Sequence, residues 1–239
     1  ILFAVIATPT ATHLDVVLYV LAKCEKIKYI LCEKPLAFSV EEAIKIINVC
    51  KKRDVDLFVN YTRRSDLGAI EIKKRIDNNI LEEPIKGICW YSQGIFNNGS
   101  HFLNLLQYWL GNINDLAKID NYNNYKDEDP NVEFVAKFEK GDILFRSLSS
   151  NYYSHYSIEL ISKSGRLYYS DGGNTIKWFS VIQDPNFPSY KIVTEEPEII
   201  PNSMNIFQLR VYDMIYETIN GNNNTNSNLS RGEDALDTI

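Results

Sequence analysis

The fold of this chain is decided by one stretch, Lys28-Tyr29-Ile30-Leu31-Cys32-Glu33-Lys34-Pro35-Leu36. Its apolar first half predicts a buried strand, and the residues from Ser39 onward predict the start of a helix. The lysine at position 34 therefore stands at the carboxyl end of a parallel strand. Open α/β sheets bind their ligands at that edge, so the stretch predicts a binding or catalytic site.

The flanking residues extend this stretch into an alternation of strands and helices. The predicted elements are strand 1–7, helix 12–23, strand 28–32, helix 39–53 and strand 56–60. Ser39 and Glu42 have the spacing of a capping box at the start of the second helix. Because short connections between alternating strands and helices are typical of parallel sheets, we expect one half of a Rossmann-like domain.

The character of the chain changes after Asn60, where strands begin to dominate. The predicted elements are helix 67–80, strands 85–93, 115–122, 131–139, 142–149, 156–163 and 165–170, helix 100–110 and a final helix 206–219. Hairpin turns are indicated at Lys140-Gly141-Asp142 and at Ser164-Gly165. The expected fold class is α/β: a partial Rossmann-like parallel sheet in residues 1–62, then an α+β domain with a mostly antiparallel open sheet in residues 63–239.

Composition excludes several classes of function. The formal net charge of −6 over 239 residues argues against nonspecific nucleic-acid binding, which needs clustered Lys and Arg. No apolar run approaches the roughly 20 residues of a membrane helix. The four cysteines form no CxxC pair, so no metal site is expected, and free thiols favour the cytoplasm. Because the chain opens with Ile on a buried strand, we expect a fragment whose N-terminal part is missing.

Two strand ends together carry a family resemblance. Thr8-Pro9 follows the first strand and Glu33-Lys34-Pro35 follows the second. This pair resembles the glucose–fructose oxidoreductase, inositol dehydrogenase and rhizopine catabolism (Gfo/Idh/MocA) family of NAD(P)-dependent sugar oxidoreductases. The segment from Gly94 to Gly111 resembles the family's histidine-bearing helix, which ends in Trp-Leu-x-Gly.

The resemblance implies a function for the intact protein. It would transfer a hydride between a secondary alcohol of a sugar, cyclitol or sugar nucleotide and the nicotinamide of NAD or NADP. The segments with Thr8, Pro9, Glu33 and Pro35 would pass the cofactor, and Lys34 would also contact the substrate hydroxyl. The family also implies a small-molecule substrate and assembly as a homodimer or homotetramer.

Histidines supply the candidate acid–base groups. By the resemblance, His101 would be the general base and Asn97 would orient substrate or histidine, while Asn104 would contact substrate. Many relatives carry Asp at both asparagine positions, and an Asn supplies no charge to raise the basicity of a histidine. His13 begins a helix, where a structural residue of the first turn is favoured over a base, although its position also makes it a candidate for cofactor binding.

Arg63 and Arg64 follow the third strand, where the family commonly places an arginine pair. A guanidinium can clamp a substrate carboxylate or phosphate, but a structural ion pair fits the position equally well. The two interpretations stay open at the level of the sequence.

One expected motif is missing, and it leaves two further alternatives. No G-x-G-x-x-G occurs in the chain, and therefore no glycine-rich helix N-terminus can hold the cofactor pyrophosphate. The chain could instead be a non-catalytic family member that acts as a ligand sensor or regulator. It could also be an inactive truncated fragment.

Overall fold

The computed structural model describes residues 2–119, 129–149, 151–221 and 228–239. Within these residues the chain divides into two units. Unit 1 contains residues 1–65 and 208–239, and unit 2 contains residues 66–207. Residues 208–239 are thus part of unit 1, whereas the division expected from the sequence placed them in the second domain.

The bounds of the helices and strands are as follows. The helices are α1 (His13–Lys23), α2 (Val40–Lys52), α3 (Leu67–Asp77), α4 (Ser100–Leu110), α5 (Phe207–Ile219) and α6 (Gly232–Leu236). The strands are β1 (Phe3–Ile6), β2 (Tyr29–Cys32), β3 (Asp56–Val59), β4 (Ile85–Ser92), β5 (Ile113–Lys118), β6 (Phe134–Phe138), β7 (Gly141–Leu148), β8 (Ser157–Ile161), β9 (Gly165–Ser170), β10 (Thr175–Gln183), β11 (Lys191–Val193), β12 (Glu198–Ile199) and β13 (Ser230–Arg231). A π-helical turn, Gly94–Gly99, leads directly into α4.

Unit 1 is built on a four-stranded sheet in the order β1-β2-β3-β13. The first three strands are parallel, and β13 adds an antiparallel strand at the edge next to β3. Because α1 and α2 connect the parallel strands, the carboxyl ends of β1, β2 and β3 lie side by side at one edge. Two hydrogen bonds extend the pairing past those ends, from Glu33 N to Ile6 O and from Asn60 N to Cys32 O.

The start and the buried face of α2 follow its sequence pattern. The Ser39 hydroxyl accepts a hydrogen bond of 3.2 Å from the backbone N–H of Glu42, which satisfies one of the free N–H groups of the first turn. The apolar stripe of the helix is buried in the core of unit 1; it consists of Ala43, Ile46, Ile47 and Cys50. Burial of this stripe, rather than helix propensity, provides most of the stability of such a helix.

Unit 2 contains a nine-stranded sheet in the order β11-β10-β9-β8-β4-β7-β6-β5, with β12 also paired to β10. Among the described strands, β4 and β7 run parallel and the other neighbours are antiparallel. α3 and α4 pack together over a single core. Trp109 is fully buried there, donates a 2.9 Å hydrogen bond to Ala69 O, and meets the ring of Tyr169 edge-on.

The fold class expected from the sequence is confirmed. α3 ends at Asp77, before the expected residue 80, and the strand expected at 115–122 begins at Ile113 and ends at Lys118. Residues 120–122 of that prediction lie outside the described part of the chain. Strands β10 to β12 were not expected from the sequence. The first half of β10 alternates, with Ile176 and Trp178 buried, whereas β11 and β12 are short and exposed. No helix among the described residues is long and apolar enough to cross a membrane.

Candidate active site

The Thr8-Pro9 turn after β1 is held by hydrogen bonds between its own residues. The backbone N–H and the hydroxyl of Thr12 both donate to Pro9 O, at 2.8 and 2.7 Å. The hydroxyls of Thr8 and Thr12 lie 2.9 Å apart. Thr8 and Pro9 themselves are exposed, so the turn presents a hydroxyl and a flat proline ring to solvent at the carboxyl edge of the sheet.

His13 lies directly behind this turn. Its imidazole is fully buried, at 0% exposure, in the first turn of α1. The Nδ1 atom is 3.0 Å from Leu36 O and the Nε2 atom is 3.0 Å from Thr8 O. Both ring nitrogens therefore face backbone carbonyl oxygens of the two segments that the sequence predicted to pass the cofactor.

Glu33 and its neighbours form a polar cluster at the same edge. Asn60, at the end of β3, is buried, and its side-chain amide donates to Glu33 Oε1 at 2.7 Å and to Gln208 Oε1 at 3.1 Å. Two buried atoms of this cluster, Asn60 Oδ1 and Gln208 Nε2, make no hydrogen bond within the described part of the chain. An acceptor and a donor thus remain for a further polar group.

The segment that carries Lys34 is flanked by a chemically inert thiol. Lys34 and Pro35 are half-buried, and Leu36 is fully buried as an anchor in the core. Burial raises the pKa of the Cys32 thiol to about 12, with a further contribution from the charge of Glu33. Because the thiolate is the reactive form, Cys32 is a structural residue of the strand.

The two arginines differ in their surroundings. Arg64 is buried, at 6% exposure, and its Nη1 atom lies 2.9 Å from Asp234 Oδ2. Arg63 is half-buried in the same 3₁₀ turn, Thr62–Ser65. The structure therefore gives Arg64 an ion-pair partner within unit 1. This agrees with the second of the two interpretations that the sequence left open, the structural ion pair.

In unit 2 the π-helical turn positions the residues around His101. The turn begins after Gln93, a non-glycine residue with φ of 64°. Asp129 accepts hydrogen bonds from the backbone N–H groups of Phe96 and Asn97, each at 2.8 Å. A carboxylate at the N-terminal end of a helix is electrostatically favourable, and π-turns are common at functional sites.

The predicted residues of this segment differ in exposure. Asn97 is exposed and His101 is half-buried, whereas Asn104 is fully buried. Next to the turn, Asn98 donates to the hydroxyl of Tyr156 at 3.1 Å, and Gln93 donates to Ser154 Oγ at 2.9 Å. The exposed end of this segment is therefore rich in amide and hydroxyl groups, which suit recognition of a polyhydroxylated ligand.

Three polar residues at these sites were not found from the sequence. Asn60 and Gln208 are 148 positions apart, and Asp129 is 32 positions from Asn97. Neither separation leaves a local pattern, because tertiary contacts alone bring the residues together. No group of three or more His, Cys, Asp or Glu side chains suited to a metal ion occurs in the part of the chain that the structure describes.

Comparison with known proteins supports the family resemblance for the N-terminal part of the chain. Residues 1–61 match the Gfo/Idh/MocA model, described as an oxidoreductase family with an NAD-binding Rossmann fold. D-xylose 1-dehydrogenase [NADP(+)] of Haloarcula marismortui is 35% identical over 80 residues, which are 34% of this chain and 21% of that protein. scyllo-Inositol 2-dehydrogenase (NAD(+)) of Bacillus subtilis is 33% identical over 121 residues, 45% of this chain and 34% of that protein. The chain thus matches about a fifth to a third of the length of these curated relatives.

The fold of the whole chain also occurs in solved structures. An inositol dehydrogenase homologue of Azotobacter vinelandii, solved with NADH and myo-inositol, aligns with 100% of this chain and 73% of its own. Its TM-score is 0.75 at 16% identity. An oxidoreductase of Sinorhizobium meliloti aligns over 100% of this chain and 74% of its own, with a TM-score of 0.78 at 15% identity. At these identities the likeness is one of fold.

Proposed function

We propose that this chain, a Gfo/Idh/MocA-family oxidoreductase, catalyses NAD(P)-dependent hydride transfer at a secondary alcohol of a sugar, cyclitol or sugar nucleotide. The single observation that carries the proposal is the family match over residues 1–61. It contains Glu33-Lys34-Pro35, which stands at the carboxyl end of β2, where open α/β sheets bind ligands. The named activities of the dehydrogenase relatives support the substrate class.

Lys34 in unit 1 and His101 in unit 2 are the proposed catalytic residues. The Lys34 ammonium would donate a hydrogen bond to the substrate hydroxyl and stabilise the negative charge that develops on its oxygen. His101 would accept the hydroxyl proton as general base, and the exposed amide of Asn97 would orient substrate or histidine. Arg63, Arg64 and the buried Asn104 would act on the substrate side, and for Arg64 and Asn104 burial limits this role to positioning.

The residues at the carboxyl edge of unit 1 fit the nicotinamide end of a dinucleotide. The Thr8 hydroxyl, the Glu33 carboxylate and the remaining acceptor of Asn60 are suited to ribose hydroxyls and an amide. The nicotinamide ring supplies the hydride-accepting carbon when the cofactor is bound. The motif that would cradle the pyrophosphate, G-x-G-x-x-G, is not in this chain, so the proposed fit concerns the nicotinamide side alone.

The proposal is tested with Lys34→Met and His101→Asn in the full-length protein, with Lys45→Met on the exposed face of α2 as a matched control. We expect turnover of the best substrate from a sugar and cyclitol screen to fall about 10²–10⁴-fold in both variants. NAD⁺ binding, measured by titration calorimetry, should change less than threefold. Unchanged turnover in either variant contradicts the role assigned to that residue.

A second candidate is a non-catalytic ligand sensor. The uncharged Asn97 and Asn104 beside His101 favour it, because neither supplies a carboxylate partner to the histidine. The same experiment separates the two functions. A sensor binds the dinucleotide and a sugar-like ligand, but oxidises none of the screened compounds.

The predicted homodimer or homotetramer is supported by one face of the nine-stranded sheet. Cys89 and Tyr91 of β4 are buried in the core of unit 2. Because side chains alternate between the two faces of a strand, Ile88 and Trp90 point to the other face of the sheet, where both are half-buried. Light scattering of the purified protein should give twice or four times the monomer mass.

The four cysteines are free thiols, which supports the proposed cytoplasmic location.

A further inference from the structure

His13 connects the segments that follow two neighbouring parallel strands, β1 and β2. Its Nε2 atom lies 3.0 Å from Thr8 O, in the turn after β1, and its Nδ1 atom lies 3.0 Å from Leu36 O, after β2. The ring is at 0% exposure. A buried polar ring between two carbonyl oxygens contributes to the structure by hydrogen bonding as well as by packing.

The chemistry of the ring makes this link specific. A carbonyl oxygen only accepts, so each contact is satisfied when the facing ring nitrogen carries a proton. Either neutral tautomer donates to one carbonyl, and the cationic ring donates to both. An apolar side chain of the same size would remove the donor from the buried contact with Leu36 O and from the part-buried contact with Thr8 O. Side chains that can donate a hydrogen bond should restore part of this loss.

Both ends of the link lie next to residues proposed to bind cofactor and substrate. Thr8 O belongs to the residue before Pro9, and Leu36 O lies two residues after Lys34. Leu36 itself is fully buried in the core of unit 1. The ring is therefore placed to hold the Thr8-Pro9 turn at a set distance from the Lys34 segment.

We infer that His13 is a positioning residue for the cofactor site: its ring fixes the Thr8-Pro9 turn to residues 33–36 and so sets the width of the gap that receives the nicotinamide ribose. The inference rests on the proposed function for the identity of the ligand. His13 touches the backbone of the two segments, and it acts on the ligand only through them.

Isosteric amides test the two halves of the link separately. The side-chain nitrogen of Asn takes the position of Nδ1, so His13→Asn keeps the donor to Leu36 O. The nitrogen of Gln takes the position of Nε2, so His13→Gln keeps the donor to Thr8 O. His13→Ala removes both, and Val17→Ala, one turn further along α1 and also at 0% exposure, is the control for a packing defect without loss of the link.

The first readout is hydrogen–deuterium exchange of peptides that cover residues 8–12 and 33–38 in the full-length protein, which requires no ligand. We expect His13→Ala to speed exchange in both peptides at least tenfold, and each amide variant to protect one of them. Val17→Ala should leave both close to wild type. Equal exchange in His13→Ala and Val17→Ala overturns the positioning role.

The second readout is the dissociation constant of NAD⁺, with ADP-ribose as the comparison ligand that lacks nicotinamide. We expect His13→Ala to weaken NAD⁺ about tenfold, the amide variants to recover part of the loss, and Val17→Ala to bind as wild type. An NAD⁺ affinity of His13→Ala within twofold of Val17→Ala refutes the link to cofactor binding. A wild-type protein that binds no dinucleotide refutes the proposed function instead, while the exchange experiment still decides the positioning role.

Discussion

Replacing Arg64 by methionine should lower the stability of unit 1 by breaking a largely buried ion pair. Arg64 Nη1 lies 2.9 Å from Asp234 Oδ2, with side-chain exposures of 7% and 33%. The same carboxylate oxygen accepts a hydrogen bond of 2.8 Å from the backbone N–H of Arg231, at the start of α6. The pair therefore connects the turn after β3 to the segment that contains β13 and α6.

The magnitude follows from the burial of the two partners. A hydrogen bond to a charged group contributes about 1.5–3 kcal/mol, and removal of one partner from a fully buried pair costs about 3–5 kcal/mol. Because a third of the Asp234 side chain is exposed, solvent screens part of this interaction. We expect a loss of about 2 kcal/mol for Arg64→Met. We also expect about 2 kcal/mol for Asp234→Asn, which takes the carboxylate away from the more deeply buried guanidinium, and a coupling of about 1 kcal/mol in the double-mutant cycle.

The assay must report on unit 1. All three tryptophans, Trp90, Trp109 and Trp178, lie in unit 2, so intrinsic fluorescence follows the wrong unit. Urea unfolding followed by exchange of the β3 and β13 amides reports on the correct one. The control is Lys51→Met, which breaks the exposed pair between Lys51 and Glu233 and should cost less than about 1 kcal/mol.

A coupling energy near zero would refute the reasoning. If Arg64→Met also left stability unchanged but raised KM for an anionic substrate, the arginine would be the substrate clamp that the sequence equally allowed. A stability loss without a change in KM supports the structural ion pair.

Three further outcomes are expected. Burial raises the pKa of the Cys32 thiol to about 12. Iodoacetamide at pH 8 should therefore alkylate the half-exposed Cys24 and leave Cys32 unmodified until the protein is denatured. Peptide mass spectrometry measures the modification of each cysteine. The hydrogen bond from Arg75 lowers the pKa of Glu198 from 4.5. The stabilisation that this hydrogen bond gives is therefore present above pH 4.5 and is lost as the pH falls below that value. Thermal melts of Arg75→Met should lack this loss of stability at acid pH. Gly94 has φ of +84°, and an added Cβ would meet the carboxylate that caps the π-turn. Gly94→Ala should therefore lower the free energy of unfolding by about 2 kcal/mol in fluorescence-detected urea unfolding. A decrease below about 0.5 kcal/mol would contradict the described turn.

Much of unit 1 could be predicted because its signals are local. Ile30 and Leu31 sit in a short apolar run that ends in Cys32, and such a run, followed by a capped helix, specifies a buried parallel strand. The apolar stripe of α2 is a local signal of the same kind, because its residues recur with the period of a helix. The carboxyl-edge position of Lys34 followed from the same pattern, since the apolar run ends at Cys32, two residues before it.

Contacts between distant residues could not be predicted in this way. Strand β13 is formed by two residues, Ser230 and Arg231, whose sequence carries no strand pattern, and it exists because β3 offers a free edge. The buried His13 illustrates the same limit for a side chain. Its place at a helix start was evident, whereas its two carbonyl partners are 5 and 23 positions away.

The sequence by itself therefore determined the alternation of elements, the buried faces and the candidate residues, because periodicity and strand-end chemistry are properties of neighbouring residues. The tertiary structure alone decided which polar groups meet. Asp129 accepts from the backbone of Asn97, and Asn60 donates to both Glu33 and Gln208; in each case the partners are far apart in the sequence. Each forms because the packed fold brings together a donor and an acceptor that lie far apart in the sequence.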